Sequence, residues 1–324
     1  MIMCRILKKK LFIIFVILFS CEENNTQSML SASSGNLNEI STVLSDELWD
    51  GIVGKTLKES FSKPVYGLPQ REPLFKLRHI PSHVFSGFVT KNRTIIKVNK
   101  AATRNTNITY NKYAKPQLVI EFCGPTLSEI TKQISKDRDS IIALITQNEI
   151  KEKQRRIKKS LSKDLEIKKN FNISLKYPSV YRVAKSTKDF IWLRKDIKSG
   201  TLNLMIYNAS NKDNHSIESY VKIRDSISHL YIPGPVDNTN MSVDNGYLIS
   251  TLKGVLNNGI NYEEFRGMWE VKNQFMAGPF IAYKFDDIKN NRQINIDVFV
   301  YAPSVNKRSY IFELESIIKS ITID

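Results

Sequence analysis

One long stretch with helical periodicity, flanked on both sides by strand-type runs, limits this chain more than any other feature. From Thr126 onward Leu127, Ile130, Ile134, Ile141, Ile145 and later Ile157, Leu161 and Leu165 recur at a helical period, with a break expected midway. Ahead of it lie strand-type runs at Ile40–Leu44, Leu74–Ile80, Arg93–Val98 and Gln117–Phe122. Ser45-Asp46-Glu47 reads as a helix start that places Leu48, Ile52, Leu57 and Phe61 on one face, and Pro64, Gly67, Pro69 and Pro73 mark a loop over Lys63–Pro73. Beyond Phe171 the period changes again: Phe171–Tyr177, Phe190–Lys195, Leu202–Tyr207, Phe265–Lys272, Phe280–Phe285 and Ile294–Tyr301 are apolar or alternating runs. Helical segments are expected at Ile217–Leu230 and at Lys307–Ile321, the latter with Ile311, Leu314, Ile317, Ile318 and Ile321 as its apolar stripe, and Asp286–Gln293 can make a hairpin loop. The expected fold class is α+β. Two domains, 38–170 and 171–324, would each be a largely antiparallel sheet covered by helices, joined through the long helix. A length of 324 residues suits two domains, and 41% apolar residues can fill their cores.

The first residues read as an export signal. Arg5, Lys8, Lys9 and Lys10 precede an apolar run, Leu11–Phe19, that is shorter than the ~20 residues a membrane span needs. It ends in Leu18-Phe19-Ser20-Cys21, which resembles the bacterial lipobox. On this reading residues 1–20 are removed, Cys21 is acylated and inserts in the bilayer, and 21–37, rich in Ser, Asn and Glu, is a flexible tether. The protein would then be a membrane-anchored lipoprotein of the cell envelope, on the periplasmic leaflet of the outer membrane or at the cell surface. Cys4 would leave with the signal, Cys21 would be blocked, and Cys123 would remain as a single thiol with no partner for an intramolecular disulfide.

Charge raises a different question. Forty-eight Lys and Arg against 32 Asp and Glu give a formal charge of +16, which invites a polyanion hypothesis. An exported lipoprotein does not meet the genome, and the surplus accompanies heavy use of Ile and Asn, so nucleic acid is not expected as a partner. The densest basic run, Lys151–Lys169, has Glu152, Asp164 and Glu166 interspersed and Ile157, Leu161 and Leu165 every four residues, which reads as the solvated face of an amphipathic helix.

Catalytic and metal motifs are weak. Gly51-Ile52-Val53-Gly54-Lys55-Thr56 ends like a phosphate-binding loop, but Trp49 stands where the first glycine is required and the segment lies inside a helix pattern. His79 and His83 have ligand spacing with Pro81 between them, and neither Cys nor a carboxylate cluster completes a site, so no metal or other cofactor is expected. G-x-S-x-G and H-E-x-x-H are both missing. The adjacent acids Glu263-Glu264 and Asp286-Asp287 read as solvated loop residues, Cys123 as a small buried hydrophobe, and Trp49, Trp192 and Trp269 as core. No catalytic residues are assigned, and an enzyme is not expected.

Several blocks taken in order resemble a known family. They are Asp46-Glu47-Leu48-Trp49, Tyr66 to Phe75, and Asn92-Arg93-Thr94-Ile95-Ile96. In the C-terminal half they are Phe190-Ile191-Trp192-Leu193-Arg194, Tyr231-Ile232-Pro233-Gly234-Pro235, Arg266-Gly267-Met268-Trp269-Glu270-Val271, Met276 to Phe280 and Val298 to Pro303. The sequence is similar over this whole span to domain of unknown function 4837, an uncharacterised family of Bacteroidota lipoproteins. Lys100–Lys115 departs from the pattern as an Asn- and Thr-rich, insert-like loop. The resemblance implies location and architecture, and no activity. The function expected is a non-enzymatic binding or scaffolding module with an envelope protein or polysaccharide as partner; the alternative is an envelope hydrolase acting on a glycan or lipid. The candidate binding surface, chosen for charged and aromatic residues beside turns, is Gln70, Arg71 and Glu72 with Arg93, and Arg266 with Trp269.

Overall fold

The computed structural model describes residues 30–209 and 216–323; the signal segment and Cys21 lie outside the described residues. Chain order begins with strand β1 (Glu39–Val43), helices α1 (Asp46–Asp50) and α2 (Ile52–Phe61), and strands β2 (Lys76–Ile80), β3 (Thr94–Lys100), β4 (Asn105–Tyr110) and β5 (Leu118–Gly124). Ser45 caps α1, its hydroxyl accepting the Leu48 amide at 3.4 Å. The chain breaks at Gly51, which shifts the phase of the helical pattern. Val53, Leu57 and Phe61 face the core, whereas Ile52 is exposed rather than part of the expected stripe.

These strands form one sheet in the order β2-β1-β3-β5-β4. The antiparallel arrangement expected for this half is wrong: β1 runs parallel to β2 and β3, and β3 parallel to β5, leaving only the β4–β5 pair antiparallel. The reason is connection length. A tight turn reverses direction, but α1, α2 and the Lys63–Pro73 loop form a crossover that returns the chain in the same sense. Residue alternation within a strand carries no information on that choice. The expected loop Lys100–Lys115 contains β4, an edge strand whose Asn-Thr-Asn-Ile-Thr-Tyr sequence is mostly exposed, with only Ile108 and Tyr110 alternating at its end to reveal it.

Helix α3 (Leu127–Ile157) then runs without the expected midway break, capped by Thr126, whose hydroxyl accepts the Glu129 amide at 3.3 Å. Ile130, Ile134, Ile141 and Ile145 pack on β3 and β5 with Phe61 and Phe75. The helix stops at Ile157, so Leu161 and Leu165 do not continue its stripe and are exposed. Lys151–Lys169 is therefore a helix end, a single 3₁₀ turn and the short helix α4 (Glu166–Phe171), not one amphipathic helix.

The C-terminal half holds β6 (Ile173–Ser174), β7 (Arg182–Ser186), β8 (Phe190–Ile197), β9 (Gly200–Ala209), α5 (Ile217–Tyr231), β10 (Met241–Val243), β11 (Ser250–Val255), β12 (Asn261–Val271), β13 (Met276–Asp287), β14 (Arg292–Tyr301), α6 (Arg308–Ile318) and β15 (Thr322–Ile323). Here the antiparallel expectation holds. An eight-stranded sheet runs β10-β12-β13-β14-β9-β8-β7, with β11 also on β12, and its named pairs are antiparallel. Gly200 at the β8–β9 turn has φ 143°, and a Cβ there would lie 2.0 Å from the Tyr301 carbonyl oxygen. Of the expected strand Phe171–Tyr177 only β6 forms, because Asn172 ends α4 in the left-handed region at φ 52°.

Both faces of the large sheet are covered, which explains the nearly continuous burial of β13 and β14. Helix α6 lies over one face with Leu204, Ile296 and Val298. Helix α5 covers the other, where Tyr220 stacks on Phe265 with ring centroids 4.1 Å apart. The two halves meet where α3 packs against α6. Lys153 Nζ lies 2.7 Å from Glu313 Oε2, and Gln154 Nε2 donates to the Ser316 carbonyl at 3.0 Å.

Candidate functional site

A cleft of about 540 Å³ lies at this junction and takes walls from both halves. That volume is within the usual small-molecule range. The Lys63–Leu74 loop and α3 supply Val65, Tyr66, Leu74, Ile142 and Thr146 from one side; α6, β11 and β12 supply Arg308, Ile311, Phe312, Leu252, Glu264 and Arg266 from the other. The apolar residues dominate the walls. Tyr66 and Leu252 are exposed and form an open rim, and the Tyr66 hydroxyl donates to the Leu248 carbonyl at 2.7 Å across the two halves.

An ionic cluster forms the floor. Glu264 and Arg266 are two apart on β12 and so share a face. Arg266 is in contact with the Glu264 carboxylate and donates to Glu315 Oε1 at 3.0 Å, and Lys319 Nζ lies 2.8 Å from the same Glu315 oxygen. Tyr283, directly across the ladder from Glu264, donates to it. Burial alone would raise the Glu315 carboxyl, but Lys319 and Arg266 outweigh it and hold it at about 2. Burial, with Glu315 and Glu264 nearby, pushes the Tyr283 hydroxyl well above its ordinary value. The carboxylates are thus already paired with cations. A general acid or base needs a group poised near neutrality, and Glu315 is far from it.

Arg308 differs from the other cations. One of its guanidinium Nη atoms donates to the Leu74 carbonyl, the guanidinium lies 5.6 Å from the Phe312 ring centre, and its Nε is buried with no hydrogen-bond partner among the described residues. Burial pulls its pKa down to about 10, with Glu315, Glu149 and Glu72 only partly offsetting it.

The residues singled out in the sequence do not form one surface. Gln70 and Arg71 are exposed, and Gln70 Oε1 accepts from Lys307 Nζ at 3.2 Å. Glu72 is buried; its carboxylate accepts the Lys307 and Arg308 amides at 2.7 and 3.0 Å. Arg93 is buried as well, held by both oxygens of Glu149 at 3.0 and 2.9 Å and by the Gly35 and Asn36 carbonyls at 3.1 and 2.7 Å. Trp269 is core, packed edge-on to Phe299 at 5.6 Å. Only Arg266 reaches the cleft. The reading of Glu264 and Asp287 as solvated loop acids also fails: both are buried on strands, paired with Arg266 and Arg292.

Sequence reasoning missed Arg308, Phe312, Glu315 and Lys319, although a signal was there. With Ile311 they recur at intervals of three and four and so define a second stripe on α6, beside the apolar one. Elsewhere, His79 stacks on Trp49 at 4.8 Å and its Nε2 faces the Leu44 carbonyl at 3.1 Å. Among the described residues no group of three or more His, Cys, Asp or Glu could hold a metal ion. Cys123 is half-buried, and burial pushes its thiol up. A second buried cluster lies under α5, where Asp297 accepts from Arg224 Nε at 2.7 Å and from the Tyr220 hydroxyl at 3.1 Å. No described helix is long and apolar enough to cross a membrane.

The chain thus falls into the class of α+β proteins that pair a mainly parallel sheet with an antiparallel one. Residues 160–320 match the family described as domain of unknown function 4837, and residues 33–158 match a separate one, domain of unknown function 8532. The resemblance to the first family is therefore found in the C-terminal half. The N-terminal blocks Asp46–Trp49, Tyr66–Phe75 and Asn92–Ile96 fall within the second. No curated protein matches the chain. Among solved structures, the chain is similar to the Ran-binding protein Mog1p of Saccharomyces cerevisiae at 7% identity, over 47% of this chain and 89% of that one, with a TM-score of 0.30. It is also similar to a point mutant of Mog1 at 6% identity, over 47% and 90% of the two chains, with a TM-score of 0.28.

Proposed function

We propose that this chain is a binding module of the cell envelope, held at the membrane by a lipid on Cys21, that takes a small apolar ligand into the cleft between its two halves. One observation carries the reading. The cleft of about 540 Å³ is walled mainly by apolar side chains, while Glu264 and Glu315 are neutralised by Arg266 and Lys319 and left without a free catalytic carboxylate. The N-terminal Leu18-Phe19-Ser20-Cys21 motif supports the anchor. Binding of a neutral apolar dye such as N-phenyl-1-naphthylamine tests the cleft. One saturable site is expected, lost when Thr146→Trp fills the cavity; saturable binding unchanged by that variant would refute the assignment. Metabolic labelling with a palmitate analogue tests the anchor, and label retained on Cys21→Ala would overturn it.

A further inference from the structure

Building on that reading, we infer that the cleft ligand is an amphipathic anion, an apolar chain with a carboxylate head, and that Arg308 receives the head. Lys63, Arg266, Arg308 and Lys319 line the cleft against Glu264 and Glu315, four cations to two carboxylates. Arg266 and Lys319 are consumed by those two acids, at 3.0 and 2.8 Å from Glu315. Arg308 makes no ion pair among the described residues: Glu72 is spent on the Lys307 and Arg308 amides at 2.7 and 3.0 Å, and Glu315, the acid that acts on it most strongly, is held by Arg266 and Lys319. A guanidinium offers five donors in a fixed fork that suits a carboxylate, and a buried donor left unpaired is costly. Arg308 Nε is such a donor.

The surroundings select the rest of the ligand. Ile311 and Phe312 follow Arg308 on the same face of α6, and Leu74 and Ile142 stand in the opposite wall. An inorganic anion would leave these walls wet, and a neutral chain would leave the guanidinium without an ion-pair partner. A head and a tail together satisfy both. Burial already pulls Arg308 down to about 10, and an arriving carboxylate would reverse that shift.

The test compares oleate with oleyl alcohol, which share a chain and differ in charge, by displacement of the neutral dye from full-length protein carrying Cys21→Ala so that no detergent competes. Oleate is expected to bind about 10- to 100-fold more tightly than the alcohol, the size of one charge-assisted contact. Arg308→Met should erase that preference, bringing the ratio of the two affinities to about one whatever it does to each, and Arg308→Lys should keep most of it. Equal affinity for the two ligands, or a preference that survives Arg308→Met, would overturn the anionic assignment and leave the apolar cleft standing. If neither ligand displaces the dye while the dye itself binds, the amphiphile is refuted; if the dye does not bind at all, the cleft reading falls with it.

Discussion

Glu72 sits at the start of the helix that begins with Arg308. Its carboxylate accepts the Lys307 amide at 2.7 Å and the Arg308 amide at 3.0 Å, reaching across 235 residues of sequence. An acid at this position satisfies two amides with no intrahelical partner and complements the helix dipole. The same contact ties the Lys63–Pro73 loop to α6 and so sets the width of the cleft. Replacing Glu72 by Ala should cost about 1–3 kcal/mol, because buried amides lose their acceptor, and Glu72→Gln should cost less. Urea unfolding checks this, and hydrogen exchange should show faster opening of the first turn of α6 in Glu72→Ala than in the parent.

Arg93 and Glu149 form the corresponding tie within the N-terminal half. Glu149 also accepts the Thr94 hydroxyl at 3.0 Å and the Asn38 amide at 2.7 Å, so α3, β3 and the start of β1 meet on one buried carboxylate. Removing one partner leaves the other charge buried and uncompensated. Glu149→Ala should therefore destabilise by about 3–5 kcal/mol. The double variant Arg93→Met, Glu149→Leu should be less destabilised than Glu149→Ala alone, since no orphaned charge remains. A double variant as unstable as the sum of Arg93→Met and Glu149→Leu measured singly would show that the pair is not coupled.

These two cases show why the elements were legible and the site was not. Strand and helix positions follow from local period, and Phe190–Lys195, Leu202–Tyr207 and Ile294–Tyr301 all lie within β-strands. Strand direction in the N-terminal sheet depends on how the crossover returns, which no local pattern encodes. In the sequence Arg93 and Glu72 are charged residues beside turns, a pattern that reads as surface. Their partners, Glu149 and the Lys307 and Arg308 amides, are 56, 235 and 236 residues away in the chain. Burial of a charged residue depends on such remote pairing. The spacing of Glu264 with Arg266, and of Arg308 with Glu315 and Lys319, was local and readable, but only the tertiary fold brings the two stripes into one cleft.

Gly54 explains the segment that ends like a phosphate-binding loop. A Cβ on Gly54 would lie 1.8 Å from the Trp49 carbonyl oxygen, so the glycine is required where α2 turns back against the end of α1. Gly54→Ala should destabilise by about 1–3 kcal/mol through overpacking, outweighing the helix propensity that alanine gains. The neighbouring Lys55→Ala, on an exposed position, should change stability by less than about 0.5 kcal/mol. Thermal melts of the two variants check this. An unchanged melt for Gly54→Ala would remove the packing explanation.

The cleft floor should also mark the acid limit of stability. Glu315 is held at about 2 against an ordinary 4.5, with burial opposing the shift and Lys319 and Arg266 causing it. A carboxyl whose folded pKa is depressed contributes stability that is complete above its unfolded value and is lost as the pH falls through the folded one. The urea midpoint should thus be insensitive to this group above about pH 5 and fall between about 4.5 and 2. Glu152, held at about 2 against burial by Arg155 and Arg156, acts in the same window. Glu315→Gln should lower stability at neutral pH, where Arg266 and Lys319 lose their counter-charge, and flatten part of the acid slope; Glu152→Gln should flatten another part. An acid slope identical in Glu315→Gln and the parent would mean that the Arg266–Glu315–Lys319 cluster does not stabilise the fold.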